Sequence, residues 1–414
     1  MSSQVKWMHS TMPNAPVVSN NWGDMTALLD ACLVNGWNTQ TPSTLTSADN
    51  IATLTFASAH GYQIYQVILI SGADQPEYNG EFIVTNVTTY TVTFSVTGYP
   101  TSPATGTISV KVAPLGFNIE FTGTNKRVYR SPNTESHRAF LRVDNSLPTG
   151  YTTTWAKFAR VTAAESMTDI DTFVGVRAPY DAAAPTKNEI PSGSYYGWFK
   201  WYYGQSGAND SAGDGGTAAR SWVLIGDDRG FYLACGTNWG GRVLYVFNDF
   251  LSFKPSDNYA TLFMACERYL TAGDVNGSSG PSYNQYAYIS HNTTGKLLLR
   301  SFTQIGDPVR VGLFSLNDAN TEVYSGYSSY FPYPNGPDYS AILHPVYLRE
   351  PTGGHMRGIA SGLFWMHQTN PFQHLTVLSD VIGYPGRKFL VVTVERYTGG
   401  NTAAFAFDIT GPWR

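Results

Sequence analysis

Residues 222–235 read WVLIGDDRGFYLAC. Two apolar runs, Trp222 to Ile225 and Phe231 to Cys235, flank the turn Gly226-Asp227-Asp228-Arg229-Gly230. Neither run alternates with polar residues, so both of its faces are apolar, and a strand of that kind belongs in the middle of a sheet covered on both sides. The glycine-bounded acidic turn folds the two runs into a hairpin. A chain whose clearest element is a doubly buried hairpin reads as a layered β protein.

Working outward, turn signals recur at similar spacing on both sides. GRVLYVF (241–247), ATLFMAC (260–266), GKLLLRSF (295–302), GLFWMH (362–367) and KFLVVTVERYTGGNTAAFAFDI (388–409) are further strand candidates. Toward the N-terminus, IATLTFAS (51–58), YQVILIS (65–71), EFIVTNV (81–87), YTVTFSV (90–96) and GTISVKV (106–112) are short strands separated by Gly/Pro/Asn turns. They predict a small sandwich or barrel. Residues 204–219 and 271–285 are rich in Gly and Ser and are expected to be long exposed loops. No internal period suggests a propeller or β-helix.

The first residues differ. In KWMHSTMPNAPVVSNNWGDMTALLDACLVNGW (6–37), Met25, Leu28, Leu29, Cys32 and Leu33 form one apolar stripe at helical period. Asn20 or Asn21 is the expected cap and Asn35-Gly36 the expected stop. Pro13 and Pro16 rule out a helix or a central strand before it. That leaves an extended arm whose Trp7, Met8, Met12, Val17 and Val18 need a surface to bury against, and a second subunit is the expected one.

The fold class is therefore mainly β, with β-sandwich or jelly-roll-like domains, a short N-terminal arm and one helix. Three regions are expected: the arm and docking helix at 1–41, a small inserted β-sandwich module at 42–113, and a large β-rich domain at 114–414, which two subdomains could share.

Composition narrows the function classes. Only 14% of the 414 residues are charged, against roughly 25% in ordinary soluble proteins. Thr, Ser, Asn, Gly and Tyr must then form much of the surface, which is cheap to desolvate when copies pack together. A net charge of −4 of mixed sign gives no footprint for nucleic acid or an anionic membrane. No apolar run approaches the ~20 residues of a membrane span, and no signal-peptide core follows the start; a soluble protein made in a cytoplasm is expected. Cys32, Cys235 and Cys266 sit among apolar residues and read as buried thiols.

The acidic candidates for reactive groups are Asp227, Asp228, Glu267, Asp274, Asp307, Asp338 and Glu350, because paired carboxylates cleave polysaccharides. Asp227-Asp228 is the adjacent pair, and its turn position favours turn chemistry, with Arg229 placed to neutralise either acid. His344, His355, His367 and His374 have spacings that suit no metal site. DVNGSSG (274–280) lacks the later ligands of a calcium loop. No catalytic, cofactor or metal residue is expected. Of two aromatic clusters, 195–204 reads as a core strand. In 324–339 the prolines and glycines favour a loop, so Tyr324, Tyr327, Tyr330, Phe331 and Tyr333 are interface or ligand candidates beside plain loop packing.

The opening stretch 6–37, PLGFNIEFTGTNKRVYRSPN (114–133), WVLIGDDRGFYL (222–233) and GRKFLVVTVERYTGGNTAAFAFDITGPWR (386–414) together resemble virion structural proteins of tailed bacteriophages. The module is similar to small β-domains of phage tail and adhesion proteins. The resemblance implies a tail, collar or baseplate-associated protein for attachment or decoration, in symmetric copies, in virions made in the host bacterial cytoplasm. Its partners would be copies of itself, other virion proteins and a host surface glycan, without nucleic acid or membrane insertion. A capsid-decorating or head-fibre protein is the alternative within that class, and a receptor-binding or polysaccharide-cleaving tail protein the alternative outside it.

Overall fold

The computed structural model describes residues 4–180, 199–207, 210–237, 242–257, 261–266, 295–314, 341, 343–351, 353–366, 372–395 and 402–414. Among them the chain is mainly β, in curled antiparallel, sandwich-like sheets with one short helix.

The helix, α1 (Asp24–Leu29), widens into a π-helical turn over Asp30–Asn35 and stops at Gly36, whose φ is 68°. Met25, Leu28, Leu29, Cys32 and Leu33 are all fully buried, as their spacing requires. The expected asparagine cap is corrected. Gly23 holds the cap position at φ 103°, where an added Cβ would lie 2.6 Å from Asn125 Oδ1. The side chain that accepts from the first turn comes from a distant strand end: Asn145 Oδ1 takes Gly23 N at 2.9 Å and Met25 N at 3.0 Å.

The arm is also more ordered than its prolines suggest. Strand β1 (Lys6–His9) ends before Pro13 and adds an antiparallel edge to the central hairpin, with Trp7 opposite Ile225. Trp7, Met8, Met12 and Val18 are buried in the chain's own core, and Val17 alone of the five arm candidates is exposed. The surface that covers them is intramolecular.

A seven-stranded sheet follows, made of β2 (Trp37–Gln40), β3 (Thr44–Ala48), β4 (Ile51–Thr55), β5 (Val67–Ala73), β6 (Gly80–Val87), β7 (Thr91–Ser95) and β8 (Gly106–Val112), in the order β2-β8-β5-β6-β7-β4-β3. Trp37 pairs with Val112, so the chain enters and leaves this sheet at neighbouring positions.

A six-stranded sheet contains β9 (Asn118–Gly123), β10 (Lys126–Arg130), β11 (Phe140–Asp144), β12 (Lys157–Met167), β13 (Phe173–Ala178) and β14 (Lys200–Gly204). All five residues of β14 are buried, and Trp201 stacks on Tyr245 at 5.4 Å. The aromatic cluster is core over these residues, while Tyr195 to Trp198 lie outside the described ones. The glycine-rich stretch after it is not simply exposed. Asp210 is buried there, accepting from Lys200 Nζ at 2.6 Å, Tyr202 OH at 2.7 Å and Tyr151 OH at 2.8 Å.

The hairpin is β15 (Trp222–Gly226) and β16 (Phe231–Gly236), buried along its whole length between β1 and the long β17 (Arg242–Ser252). β17 has further neighbours along its length. Val246 to Asp249 pair with β18 (Leu262–Ala265), and Phe250 to Ser252 pair with a later strand, β23 (Met356–Met366). The remaining strands of this thirteen-stranded sheet are β19 (Lys296–Leu298), β20 (Val309–Arg310), β21 (Gly312–Phe314), β22 (Leu343–Arg349), β23 (Met356–Met366), β24 (Val377–Ser379), β25 (Lys388–Glu395) and β26 (Thr402–Asp408). One apolar cluster runs without a break from the arm through the seven-stranded sheet into the hairpin and the C-terminal strands. The three cysteines are buried within it.

Candidate functional site

The hairpin turn is the place where the sequence put its reactive pair, and the fold separates the two carboxylates by role. Asp227 points inward and is buried. Its Oδ1 accepts Arg229 N at 2.9 Å and Gly230 N at 3.2 Å, which shapes the turn. The Arg414 guanidinium closes over it, with Nη1 3.2 Å from Asp227 Oδ2 and Nη2 2.9 Å from Asn248 Oδ1. Asp249 stands 3.7 Å from Arg414 Nε and accepts Thr261 Oγ1 at 2.8 Å. Burial pushes the Asp227 carboxyl above its ordinary range, and Arg414 works against that push.

Asp228 faces the other way. Its carboxylate accepts Asn133 Nδ2 at 3.1 Å and its carbonyl accepts Ser131 Oγ at 2.6 Å. The expectation that Arg229 neutralises either acid is corrected, because Arg229 pairs with Glu135 and the cation on Asp227 is Arg414.

Beside this turn the arm, the seven-stranded sheet and the main sheet meet around a cleft of about 560 Å³. The arm contributes Gln4 and Lys6, the seven-stranded sheet and its β5–β6 connection contribute Glu81 and Glu77, and the hairpin turn contributes Asp228. Phe82, Leu115, Pro76 and Pro132 are its apolar walls. Lys6 is almost fully buried, and its Nζ donates to Glu81 Oε1 at 2.6 Å and to the Pro114 carbonyl at 2.5 Å. Gln4 Oε1 is buried and has no hydrogen-bond partner among the described residues.

Other charged interior groups are tied into structural pairs. Asp144 is fully buried between Arg160 at 2.6 Å and Arg142 at 3.2 Å. Burial pushes against the Asp144 charge, yet Arg160 and Arg142 outweigh it and hold the carboxyl below its usual range. Glu350 pairs with Arg357, which also meets Asp257 at 2.9 Å. Asp307 is exposed, and Glu267, Asp274 and Asp338 lie outside the described residues.

His344, His355 and His374 serve separate neighbourhoods. His344 Nδ1 lies 2.6 Å from the Pro345 carbonyl, and His355 stacks on Phe302 at 4.2 Å. His374 Nδ1 accepts Thr393 N at 3.2 Å; burial first, then Arg242 and His9, lower its pKa to about 4. Among the described residues no group of three His, Cys, Asp or Glu side chains could hold a metal ion, and His367 lies outside them. Tyr324, Tyr327, Tyr330, Phe331 and Tyr333 likewise lie outside the described residues.

Sequence reasoning missed the cleft and the Arg414 anchor. Both are assembled from segments far apart in the chain. The local signal was slight: Lys6 in a run of apolar residues, and an Arg directly after Trp413 in the closing TGPWR.

No family model and no curated protein matches the chain. Among solved structures, the phage phi92 endosialidase is weakly similar, at 9% sequence identity and a TM-score of 0.16, over 90% of this chain and 52% of that one. The chain thus spans about half the length of that protein, and a likeness of this grade decides neither architecture nor role.

Proposed function

We propose that the chain is a structural component of a tailed-bacteriophage virion, attached to the tail, collar or baseplate as an attachment or decoration protein in symmetric copies. The observation that carries this reading is the union of a charge-poor composition with an all-through β architecture, in which one apolar core joins arm, module and main sheets. Such a body is rigid and presents neutral polar surface to neighbours. The sequence resemblance to virion proteins supports the same reading.

The structure also bears on the role of the acids. Asp227 is engaged by Arg414 and by the backbone of its own turn, so its geometry supports a structural part. We therefore propose a protein without catalytic chemistry. The second reading, a receptor-binding or polysaccharide-cleaving tail protein, predicts release of reducing ends from host surface polysaccharide.

The test is labelling of purified virions with antibody raised against this chain, followed by reconstruction of the labelled particles. Label on the tail, collar or baseplate supports the proposal. Label on the head moves the chain to the decoration reading, and its absence from intact and disrupted particles overturns the virion reading altogether.

A further inference from the structure

We propose that Lys200 and Asp210 are joined by an amide cross-link that the folded chain forms on its own. Lys200 Nζ lies 2.6 Å from Asp210 Oδ2, and neither side chain is exposed to water, at 0% each. Their backbones are held independently, for Lys200 pairs with Arg160 across β12 and β14, and Asp210 accepts Ala156 N at 2.8 Å. The ammonium sits 4.3 Å from the centre of the Phe158 ring, with the rings of Tyr202 and Tyr151 at 5.5 and 5.9 Å. Those walls keep it beside the carboxyl. An amine hydrogen-bonded so closely to one carboxylate oxygen stands about 3–3.5 Å from the carboxyl carbon, the separation of atoms poised to bond.

An independent observation points the same way. Each oxygen of the carboxyl has its own phenol: Tyr202 OH donates to Oδ1 at 2.7 Å and Tyr151 OH to Oδ2 at 2.8 Å. Acyl substitution needs that division of labour, because charge gathers on one oxygen while the other departs. Burial supplies the drive. Two charges withdrawn from water keep much of their desolvation cost even when paired, whereas an amide carries none. The same burial favours a neutral amine beside a neutral acid over the two ions.

The step balances within the pair. The ammonium first passes one proton to Oδ2, and the lone pair freed on Nζ then attacks Cγ, as a desolvated lysine amine is able to do. Tyr202 OH stabilises the charge that collects on Oδ1. A second proton moves from Nζ to Oδ2, the bond from Cγ to Oδ2 breaks, and this oxygen leaves as water while Tyr151 OH donates to it. One C–N bond has replaced one C–O bond, and neither an oxidant nor a co-reactant is required. The reaction occurs once per chain and does not depend on the function proposed above.

The experiment is mass spectrometry of the purified full chain, intact and after unfolding and digestion with trypsin. The intact mass is expected to fall short of the sequence mass by one water. Trypsin should fail to cut after Lys200, so that residues 188–220 emerge as one peptide lighter by one water. Lys200→Arg keeps a cation for Asp210 but not the nucleophilic amine, and this variant should show its full sequence mass. Tyr202→Phe should slow the bond about a hundredfold, read as the cross-linked fraction at matched times after synthesis. A wild-type chain of full mass after prolonged incubation overturns the proposal. So does a water loss that persists in Lys200→Arg, or one that leaves trypsin cutting after Lys200, since either would mark a cyclised aspartate elsewhere. If Lys200→Arg fails to fold, the wild-type peptide map decides alone.

Discussion

Arg414 reaches back 187 positions to set its guanidinium 3.2 Å from the carboxylate of Asp227. Both side chains are nearly excluded from water, at 9% and 2% exposure. Removing one partner of such a pair strands the other charge. Arg414→Ala is expected to cost about 3 kcal/mol, within the range for broken buried ion pairs. Asp227→Asn should cost less, because an amide oxygen can still accept from Arg229 N and Gly230 N. This exceeds the effect expected of an exposed turn acid. Urea unfolding of the two variants and the double mutant measures it; additive costs would show that the pair is not coupled.

Acid sensitivity should centre on Asp144. Its folded pKa lies below the ordinary value of 3.8, so the stability it contributes is present above that value and is lost as pH falls through the folded one. Asp144→Asn is expected to flatten the acid limb of the stability profile. It should also cost about 3 kcal/mol at neutral pH by stranding Arg142 and Arg160. An unchanged acid limb in this variant would refute the assignment.

His374 acts in a different window. Its folded pKa, about 4, is depressed from 6.5, so as pH falls below 6.5 the unfolded chain binds the proton first and stability declines until about pH 4. His374→Gln keeps an acceptor for Thr393 N and should remove this slope. Thermal melts of both proteins at several values of pH across that interval decide the point; parallel profiles would rule it out.

Joining Trp37 to Val112 through a Gly/Ser bridge tests how independent the seven-stranded sheet is. Its ends are register partners, which makes the bridge geometrically easy. Its contents are not separable so cleanly: Trp7 donates its indole to the Tyr65 carbonyl at 3.1 Å and Lys6 pairs with Glu81. The deletion protein is therefore expected to melt lower and less sharply than the full chain, and Lys6→Met should recover part of the loss. A deletion protein that melts like the full chain would show that the shared core is dispensable.

Elements set by neighbours in sequence were legible. The stripe from Met25 to Leu33 and the runs flanking Gly226 and Gly230 carry their periodicity on the page, and both occur where the pattern puts them. The strand character of Lys6–His9 was not legible, because it comes from pairing with residues 223–226. Asn145 could not be read as the helix's acceptor either, since it serves Gly23 and Met25 across 122 and 120 positions. Arg142 and Arg160 sit in strand sequences that look half-exposed, yet each is fully buried because Asp144 supplies the counter-charge. For the strand and the helix the missing information is a partner distant along the chain; for the arginines it is the packing that buries Asp144 with them.

The edge strand and the C-terminal anchor meet at adjacent residues, for Lys6 pairs with Gly226 and Arg414 with Asp227. The hairpin's own strands close a short loop and can associate early, whereas each of these two clasps must close a loop of roughly two hundred residues. Folding of such a topology is slow, since long-range contacts reward the chain only after the entropy of closure has been met. The turn at residues 226–230 is then the place where the two arms of the chain arrive late and together, and it is there that an incompletely folded molecule would still offer an open strand edge to its neighbours.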